Sequence, residues 1–355
     1  SCRKISGKRD PEAQMNYQEL EKLFPFKHRY ITVGQNRIHY IDEGAGNVLL
    51  MFHACPMWSF AYRRQIQEFA ADHRVIAFDM LGFGLSDKPY DFDYTLTGHI
   101  NLVESLIAAL ELKNITLVMH GWGGTIGMGF AVRHPNLVTA LVILNSMALF
   151  DFPLPWRLYP CRAPWLGSKI ILDLKMLQFG VNKLPREIAD AYRYPFLSKE
   201  SRIPLLRFIE DIPVAPEADS AQTILAIETG LWMFNSKPAC IIWAMRDWLY
   251  TPKSLKFWEH YLPNADVCTL PNAGRYRKTL RKRSMRSCAA FWKKTIYNKA
   301  KDGQQRHTVG NEFRRRNGQP FQGKTRQRQL SGACGGQRSS LGNETRRCRH
   351  EIFRD

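Results

Sequence analysis

The sequence predicts an α/β protein with a mostly parallel, doubly wound sheet and an inserted helical cap. Apolar, β-branched runs alternate with helical patterns over the first part of the chain, which is typical of parallel strands joined by helices. Most of these runs are continuously apolar, as expected for strands covered on both faces. A segment rich in prolines and aromatic residues then interrupts the alternation before strand-like runs resume.

The predicted elements follow one another in a regular order. Two strands joined by a short turn come first, at 29–33 and 36–41. Buried strands and helices then alternate, and the last two strands follow the interrupting segment. We expect strands at 48–52, 74–78, 114–119, 137–144, 238–245 and 266–270, and helices that end near 71 or cover 97–112 and 125–133.

Changes in composition set the domain boundaries. Residues 1–24 form an N-terminal extension, 25–147 and 238–275 form the core, and 148–237 form the helical cap. Residues 276–355 have no sustained periodicity and are rich in Arg, Gln, Gly, Asn and Ser, which predicts a basic, disordered tail.

The charge is concentrated in that tail. Residues 276–355 hold 22 of the 51 Lys and Arg but 5 of the 32 Asp and Glu, and thus +17 of the formal +19. Such a segment could bind an anionic partner. It has no regularly spaced aromatic residues and no nucleic-acid-binding motif, so we expect no nucleic-acid partner.

The eight cysteines show no paired CxxC spacing, which predicts a reducing compartment and no zinc site. There is no charged-then-apolar leader and no apolar run long enough to span a bilayer. We therefore expect a cytoplasmic protein with no membrane span, no cofactor and no metal. The sequence leaves the oligomeric state open.

The chain is organised around residues 118–124, Val-Met-His-Gly-Trp-Gly-Gly. A strand-like run precedes them and a helix of small residues can follow. Strand, tight glycine turn and helix are the context of a nucleophile elbow, in which the tip residue carries the nucleophile. The tip here is Gly121, which has no side chain.

Five ordered motifs together indicate a family. They begin at His53, Val75, His120, Arg246 and Asn272, and read HACPMW, VIAFDMLGFGLSDKP, HGWGG, RDW and NAG. Over roughly residues 25 to 275 the chain resembles the haloalkane dehalogenases and the closely similar olefin-forming β-lactone decarboxylases, which implies an α/β-hydrolase fold.

The resemblance implies a covalent mechanism. An elbow carboxylate attacks an electrophilic carbon, and a histidine oriented by an acid activates water to hydrolyse the ester. Trp122 stands where an indole N–H stabilises the leaving halide. The backbone N–H groups of Trp122 and of Cys55, third in the His-Gly-x-Pro motif, would form the oxyanion hole. Asp247 is the orienting acid; a loop aspartate that caps a helix is the alternative.

Three positions depart from the family pattern. Gly121 stands where aspartate is expected, and Arg275 stands where the base histidine is expected. Arginine stays protonated and accepts no proton at neutral pH. Cys55 replaces a second halide donor; it could serve as a substitute nucleophile, although an inert thiol is the favoured interpretation. A chain with these changes should be impaired, or a pseudoenzyme.

An apolar small molecule is the expected substrate. The residues assigned to its pocket are His53, Pro56, Trp58, Trp165 and Trp232. A structural role is the alternative for His53, and core packing is the alternative for Trp165 and Trp232. Neither His53 nor His120 is expected to bind metal.

The resemblance favours cleavage of carbon–halogen bonds in small to medium alkyl substrates. A β-lactone decarboxylase and a catalytically dead ligand-binding relative are the alternatives.

Permitted codons for residues 278–294, read two bases out of frame, encode an amphipathic helix like the last helix of the family. We therefore hypothesise a frameshift near Arg275, which would make the basic tail an out-of-frame product.

Overall fold

The computed structural model describes residues 15–147, 156–174, 184–215, 217–271 and 273. Their centre is a sheet whose strands lie in the order β1-β2-β4-β3-β5-β6-β7-β8. The pairs β1/β2 and β2/β4 are antiparallel, and all other neighbours are parallel. The strands are β1 Arg29–Val33, β2 Asn36–Glu43, β3 Val48–Phe52, β4 Arg74–Phe78, β5 Ile115–Gly121, β6 Val138–Ser146, β7 Ala239–Ala244 and β8 Asp266–Leu270.

Helices follow most strands, as a doubly wound sheet requires. They are α1 Tyr17–Leu23, α2 Arg63–Phe69, α3 Leu96–Ala109, α4 Trp122–Arg133, α5 Pro164–Ser168, α6 Arg186–Arg193, α7 Ile203–Asp211, α8 Asp219–Gly230 and α9 Pro252–Tyr261. Short 3-10 turns connect several of them, and a π-helical turn, Lys169–Asp173, follows α5. The predicted α/β-hydrolase fold with a mostly parallel sheet is confirmed.

The sheet separates two apolar clusters. Leu50 and Phe52 of β3 belong to one cluster, and their neighbours Leu49 and Met51 belong to the other. All four side chains are fully buried. Because successive side chains of a strand point to opposite faces, both faces of the sheet are covered, which explains the continuously apolar strands.

The described helices between β6 and β7 lie within the predicted helical cap, residues 148–237, and are called the cap below. Arg202, buried just before α7, donates hydrogen bonds to the carbonyls of Leu172, Phe196 and Leu197 at 2.8, 2.9 and 2.9 Å. Asp211, at the end of α7, accepts the Leu96 N–H at 2.8 Å. The cap is therefore tied internally by Arg202 and joined to the start of α3 by Asp211.

Helix α1 lies within the predicted N-terminal extension. Residues 1–24 are predicted as an extension, but α1 lies within them and has a capping box between Asn16 and Glu19. Leu20 and Phe24 are fully buried in the same cluster as Leu49. The folded core therefore begins before residue 25, because α1 contributes apolar side chains to one face of the sheet.

Candidate active site

Gly121 lies at the predicted elbow. It is the last residue of β5 and immediately precedes α4, with φ of 59° and ψ of −134°. Residues with a side chain rarely adopt positive φ, and the tight strand-to-helix turn of an elbow imposes it on the tip. Ser146 of the neighbouring strand donates to the Gly121 carbonyl at 2.7 Å. The backbone of a nucleophile elbow is thus present without a nucleophile.

Two further glycines let the helix approach the sheet closely. A Cβ at Gly123 would collide with the carbonyl oxygens of His53 and Phe52, and a Cβ at Gly124 would collide with the Ser146 side chain. Both glycines lie in the first turn of α4. Close approach of backbone to backbone is a reason for glycine at such positions.

Trp122 connects the elbow to the cap. It is the first residue of α4, its side chain is buried, and its ring meets that of Phe208 of α7 edge-on at 5.6 Å between centroids. Backbone N–H groups in the first turn of a helix have no partner within the helix. The Trp122 N–H is therefore suited to bind an anion or a carbonyl oxygen.

Cys55 follows β3, and its side chain packs against the cluster that contains Trp122. Burial raises the pKa of the Cys55 thiol. A thiol that stays protonated is a poor nucleophile, so its surroundings favour the inert-thiol interpretation.

Two residues that the sequence does not single out also lie at the elbow. A Cβ built on Gly121 would stand 2.6 Å from the Ala54 Cβ and 3.2 Å from the Tyr250 hydroxyl oxygen. Burial, then the neighbouring charge of Asp247, raises the pKa of Tyr250, so this hydroxyl stays protonated. The sequence could have indicated Ala54, because it stands at the glycine position of the His-Gly-x-Pro motif. No motif of the sequence indicates Tyr250.

Asp247 lies in the loop after β7. Its Oδ1 accepts the N–H groups of Leu249 and Tyr250 at 2.8 and 3.2 Å. The same loop meets the end of β8, since the Arg246 N–H donates to the Ala273 carbonyl at 2.9 Å. Asp247 is thus held by its own loop. The predicted base position, Arg275, lies outside the described residues, as does the tail at 276–355.

Backbone groups hold both ring nitrogens of His53. Its Nδ1 donates to the Ala54 carbonyl at 3.1 Å, and its Nε2 accepts the Met80 N–H at 3.0 Å. Burial lowers the pKa of His53, so the ring is neutral. With both nitrogens engaged by backbone groups and no exposed surface, the ring has the surroundings of the structural alternative, and its pocket assignment stays a prediction.

The three tryptophans predicted for the pocket differ in burial. Trp58 is fully buried in the cluster on the face of Leu49, and its indole N–H donates to the Ala191 carbonyl at 3.2 Å. Trp165 is 74% exposed on α5. Trp232 is 47% exposed and its ring contacts His260 and Tyr261 of α9.

Trp58 therefore lies in the core, whereas Trp165 and Trp232 are largely exposed. Their assignment to the substrate pocket stays a prediction. Pro56 lies after β3 and is half-buried, and its place in the substrate pocket stays a prediction.

The described residues hold no group of three or more His, Cys, Asp or Glu side chains that could bind a metal ion. Within that part of the chain, no helix is both long and apolar enough to cross a membrane.

Comparisons with known proteins agree with this geometry. Residues 47–276 match a family model described as alpha/beta hydrolase fold. The chain is 38% identical over 270 residues to a cis-3-alkyl-4-alkyloxetan-2-one decarboxylase from Shewanella oneidensis, covering 72% of this chain and 85% of the relative. It is 32% identical over 254 residues to a haloalkane dehalogenase from Mycobacterium marinum, covering 67% of this chain and 83% of the relative.

A solved structure shows the same likeness. The haloalkane dehalogenase DbeA from Bradyrhizobium elkani superimposes with a TM-score of 0.69 at 26% identity, covering 77% of this chain and 99% of that chain. The resemblance predicted from the five motifs is therefore confirmed: the chain belongs to the α/β-hydrolase fold family and is of the haloalkane dehalogenase type.

Proposed function

We propose that this protein has the site of a hydrolase that cleaves carbon–halogen bonds of small to medium alkyl substrates, and that its covalent step is impaired. The observation that carries the proposal is Gly121, which has the backbone of the elbow tip and no side chain. Losing the nucleophile or base of such a site costs on the order of 10⁶ in kcat.

The remaining groups have separate roles in this proposal. The N–H groups of Cys55 and Trp122 form the oxyanion hole, and the Trp122 indole binds the halide. Asp247 has the position of the acid that orients the base. With arginine at position 275, no group in the base position can take a proton from water. The half-buried Pro56 borders the substrate.

A β-lactone decarboxylase is the second candidate. It is favoured by the 38% identity to the Shewanella oneidensis relative, whose name specifies an oxetan-2-one with two alkyl groups. A ligand-binding relative without turnover is the third candidate, and the missing side chain at Gly121 favours it.

The chain as it stands tests these candidates. It should release no halide from a 1-bromoalkane and no CO₂ from a cis-β-lactone beyond the protein-free controls, and ion chromatography and gas evolution measure the two products. Repeated halide release per chain would contradict the proposed impairment. Calorimetric binding of the β-lactone but not of the bromoalkane would favour the second candidate.

We also propose a cytoplasmic location and an out-of-frame origin for residues 276–355. The four described cysteines, at 55, 161, 240 and 268, are free thiols, which supports a reducing compartment. Sequencing the gene across the codons for residues 268–295 tests the frameshift. An in-frame histidine and final helix would support it, whereas an unchanged reading with salt-sensitive DNA binding by the full chain would contradict it.

A further inference from the structure

The neighbour of the empty nucleophile position fills the space that a nucleophile would need. The nearest atom to a Cβ built on Gly121 is the Cβ of Ala54, at 2.6 Å. Non-bonded carbon atoms are in favourable contact at roughly 3.5–4.0 Å. Any side chain at position 121 would therefore overlap with the methyl group of Ala54.

Ala54 has little freedom to move away. Its carbonyl accepts the His53 Nδ1–H at 3.1 Å and the Met57 N–H at 2.7 Å, and its side chain is 6% exposed. A methyl group attached directly to the backbone has no torsion that could relieve the overlap. Relief would require a shift of the backbone that follows β3, where the Cys55 N–H of the proposed oxyanion hole also lies.

The Tyr250 hydroxyl limits the same space from another side. It would stand 3.2 Å from the Cβ of a residue at position 121. A shift of that residue away from Ala54 is thus restricted by a buried aromatic side chain. The elbow tip has room for a glycine and for nothing larger.

We propose that Ala54 is a second, steric block on catalysis, independent of the missing carboxylate. Residues 54 and 121 form a matched pair in which a methyl group at one position excludes a side chain at the other. An aspartate at position 121 would be correctly placed only when residue 54 is glycine. The packing claim stands alone, while its chemical consequence rests on the proposed function.

The chemical consequence follows from the covalent step. In a Gly121→Asp variant, a carboxylate oxygen would form a bond to the substrate carbon as the carbon–halogen bond breaks, and halide would leave with the electron pair. The carboxylate becomes a neutral ester, so charge is conserved. Because arginine occupies the base position, the ester should persist, giving one halide and one alkyl group per chain.

A stability cycle tests the packing claim without any chemistry. Gly121→Ala is compared in the natural chain and in an Ala54→Gly background, with thermal unfolding of all four proteins. We expect Gly121→Ala to lower the unfolding midpoint much more when Ala54 is present, because only then do two methyl groups overlap. If the Gly121→Ala chain fails to fold when Ala54 is present but folds when residue 54 is glycine, that outcome also supports the proposal. Equal losses in both backgrounds would overturn the proposal.

Alkylation tests the consequence. Gly121→Asp and the double variant Ala54→Gly/Gly121→Asp are incubated with a 1-bromoalkane and followed by intact-mass spectrometry, with Ala54→Gly/Gly121→Asn as the matched control. We expect the double variant to gain one alkyl group on the order of 100-fold faster than the single variant, since misplacement by about 1 Å has effects of this size. Equal rates would overturn the steric block and leave the proposed function intact. If the folded double variant gains no alkyl group, the proposed function is wrong, and the stability cycle still decides the packing claim.

Discussion

At the scale of single residues, Asp79 is the buried charge on which the loop after β4 depends. Its carboxylate lies 2.7 Å from His39 Nδ1 and accepts the N–H groups of Ser59 and Leu85 at 2.6 and 2.8 Å. Burial alone would raise the pKa of Asp79, but the charge and the hydrogen bond of His39, together with the Leu85 N–H, outweigh burial and lower the pKa to about 2. This network holds the loop beside the strand end that carries His53 and Ala54.

The lowered pKa predicts a specific pH dependence. A carboxylate with a folded pKa near 2 and an unfolded pKa of about 3.9 stabilises the fold above pH 4, and this stabilisation is lost as the pH falls from about 4 to 2. Asp79→Asn should lower the free energy of unfolding at pH 7 by about 2 kcal/mol or more and flatten its decline in that acid window. Urea unfolding at several pH values measures both effects. Asp91→Asn, at an exposed position, is the control. If the Asp79→Asn chain loses as much stability in acid as the natural chain, Asp79 is not the source of the acid sensitivity.

At the scale of elements, the helices of the cap have no strand pairing to join them, and side-chain hydrogen bonds connect its described segments instead. Arg202 is 5% exposed and bonds to three carbonyls from two other segments of the cap. Arg207, one turn into α7, is a near neighbour with a different environment, since its side chain is 61% exposed and pairs with Glu210 on the surface. The two arginines make a matched pair for testing what holds the cap.

Replacing Arg202 should loosen the cap selectively. Arg202→Met leaves three carbonyls without their donor, each at a cost of about 1–3 kcal/mol where it stays buried, so we expect a lower unfolding midpoint and faster proteolysis within residues 156–234. Arg207→Met should change stability by less than about 1 kcal/mol, because exposed ion pairs contribute little. Similar proteolysis of the two variants would show that Arg202 does not hold the cap.

The elements also differ in how well the sequence predicts them. Strands 48–52 and 74–78 are predicted at the residues where they occur, because apolar runs bounded by polar residues define them. Helix α1 is missed, because in isolation its mostly polar residues give no periodic signal, and only the fold shows that Leu20 is buried. The elbow at Gly121 is local and therefore predictable. The approach of Tyr250 is not, because it depends on how the loop after β7 meets the end of β5.

At the scale of the whole molecule, a single sheet separates two apolar clusters, and both are needed for the fold. β3 lies between β4 and β5 and contributes alternate side chains to the two clusters. The elbow follows β5, so its backbone geometry depends on packing at both faces. The protein is expected to lose its site when either cluster is weakened.

Substitutions on adjacent residues test this arrangement. Leu49→Ala and Leu50→Ala each remove a fully buried side chain, from opposite faces, and each should cost about 2–5 kcal/mol of unfolding free energy. Val267→Ala on the edge strand β8, where the side chain is 37% exposed, should cost less than about 1 kcal/mol. Chemical denaturation measures all three. A small cost for one leucine alone would mean that its face of the sheet is not covered.

The proposed function requires that this chain has the site of a haloalkane dehalogenase-type hydrolase from which the reactive groups are missing. Halide release from a 1-bromoalkane by the variant Ala54→Gly/Gly121→Asp/Arg275→His tests it most directly, with Asn in place of Asp at position 121 as the matched control. We expect many halide ions per chain from the Asp variant and none from the Asn control. A folded Asp variant that releases no halide would contradict the haloalkane dehalogenase assignment, and release of CO₂ from a cis-β-lactone by that variant would favour the second candidate.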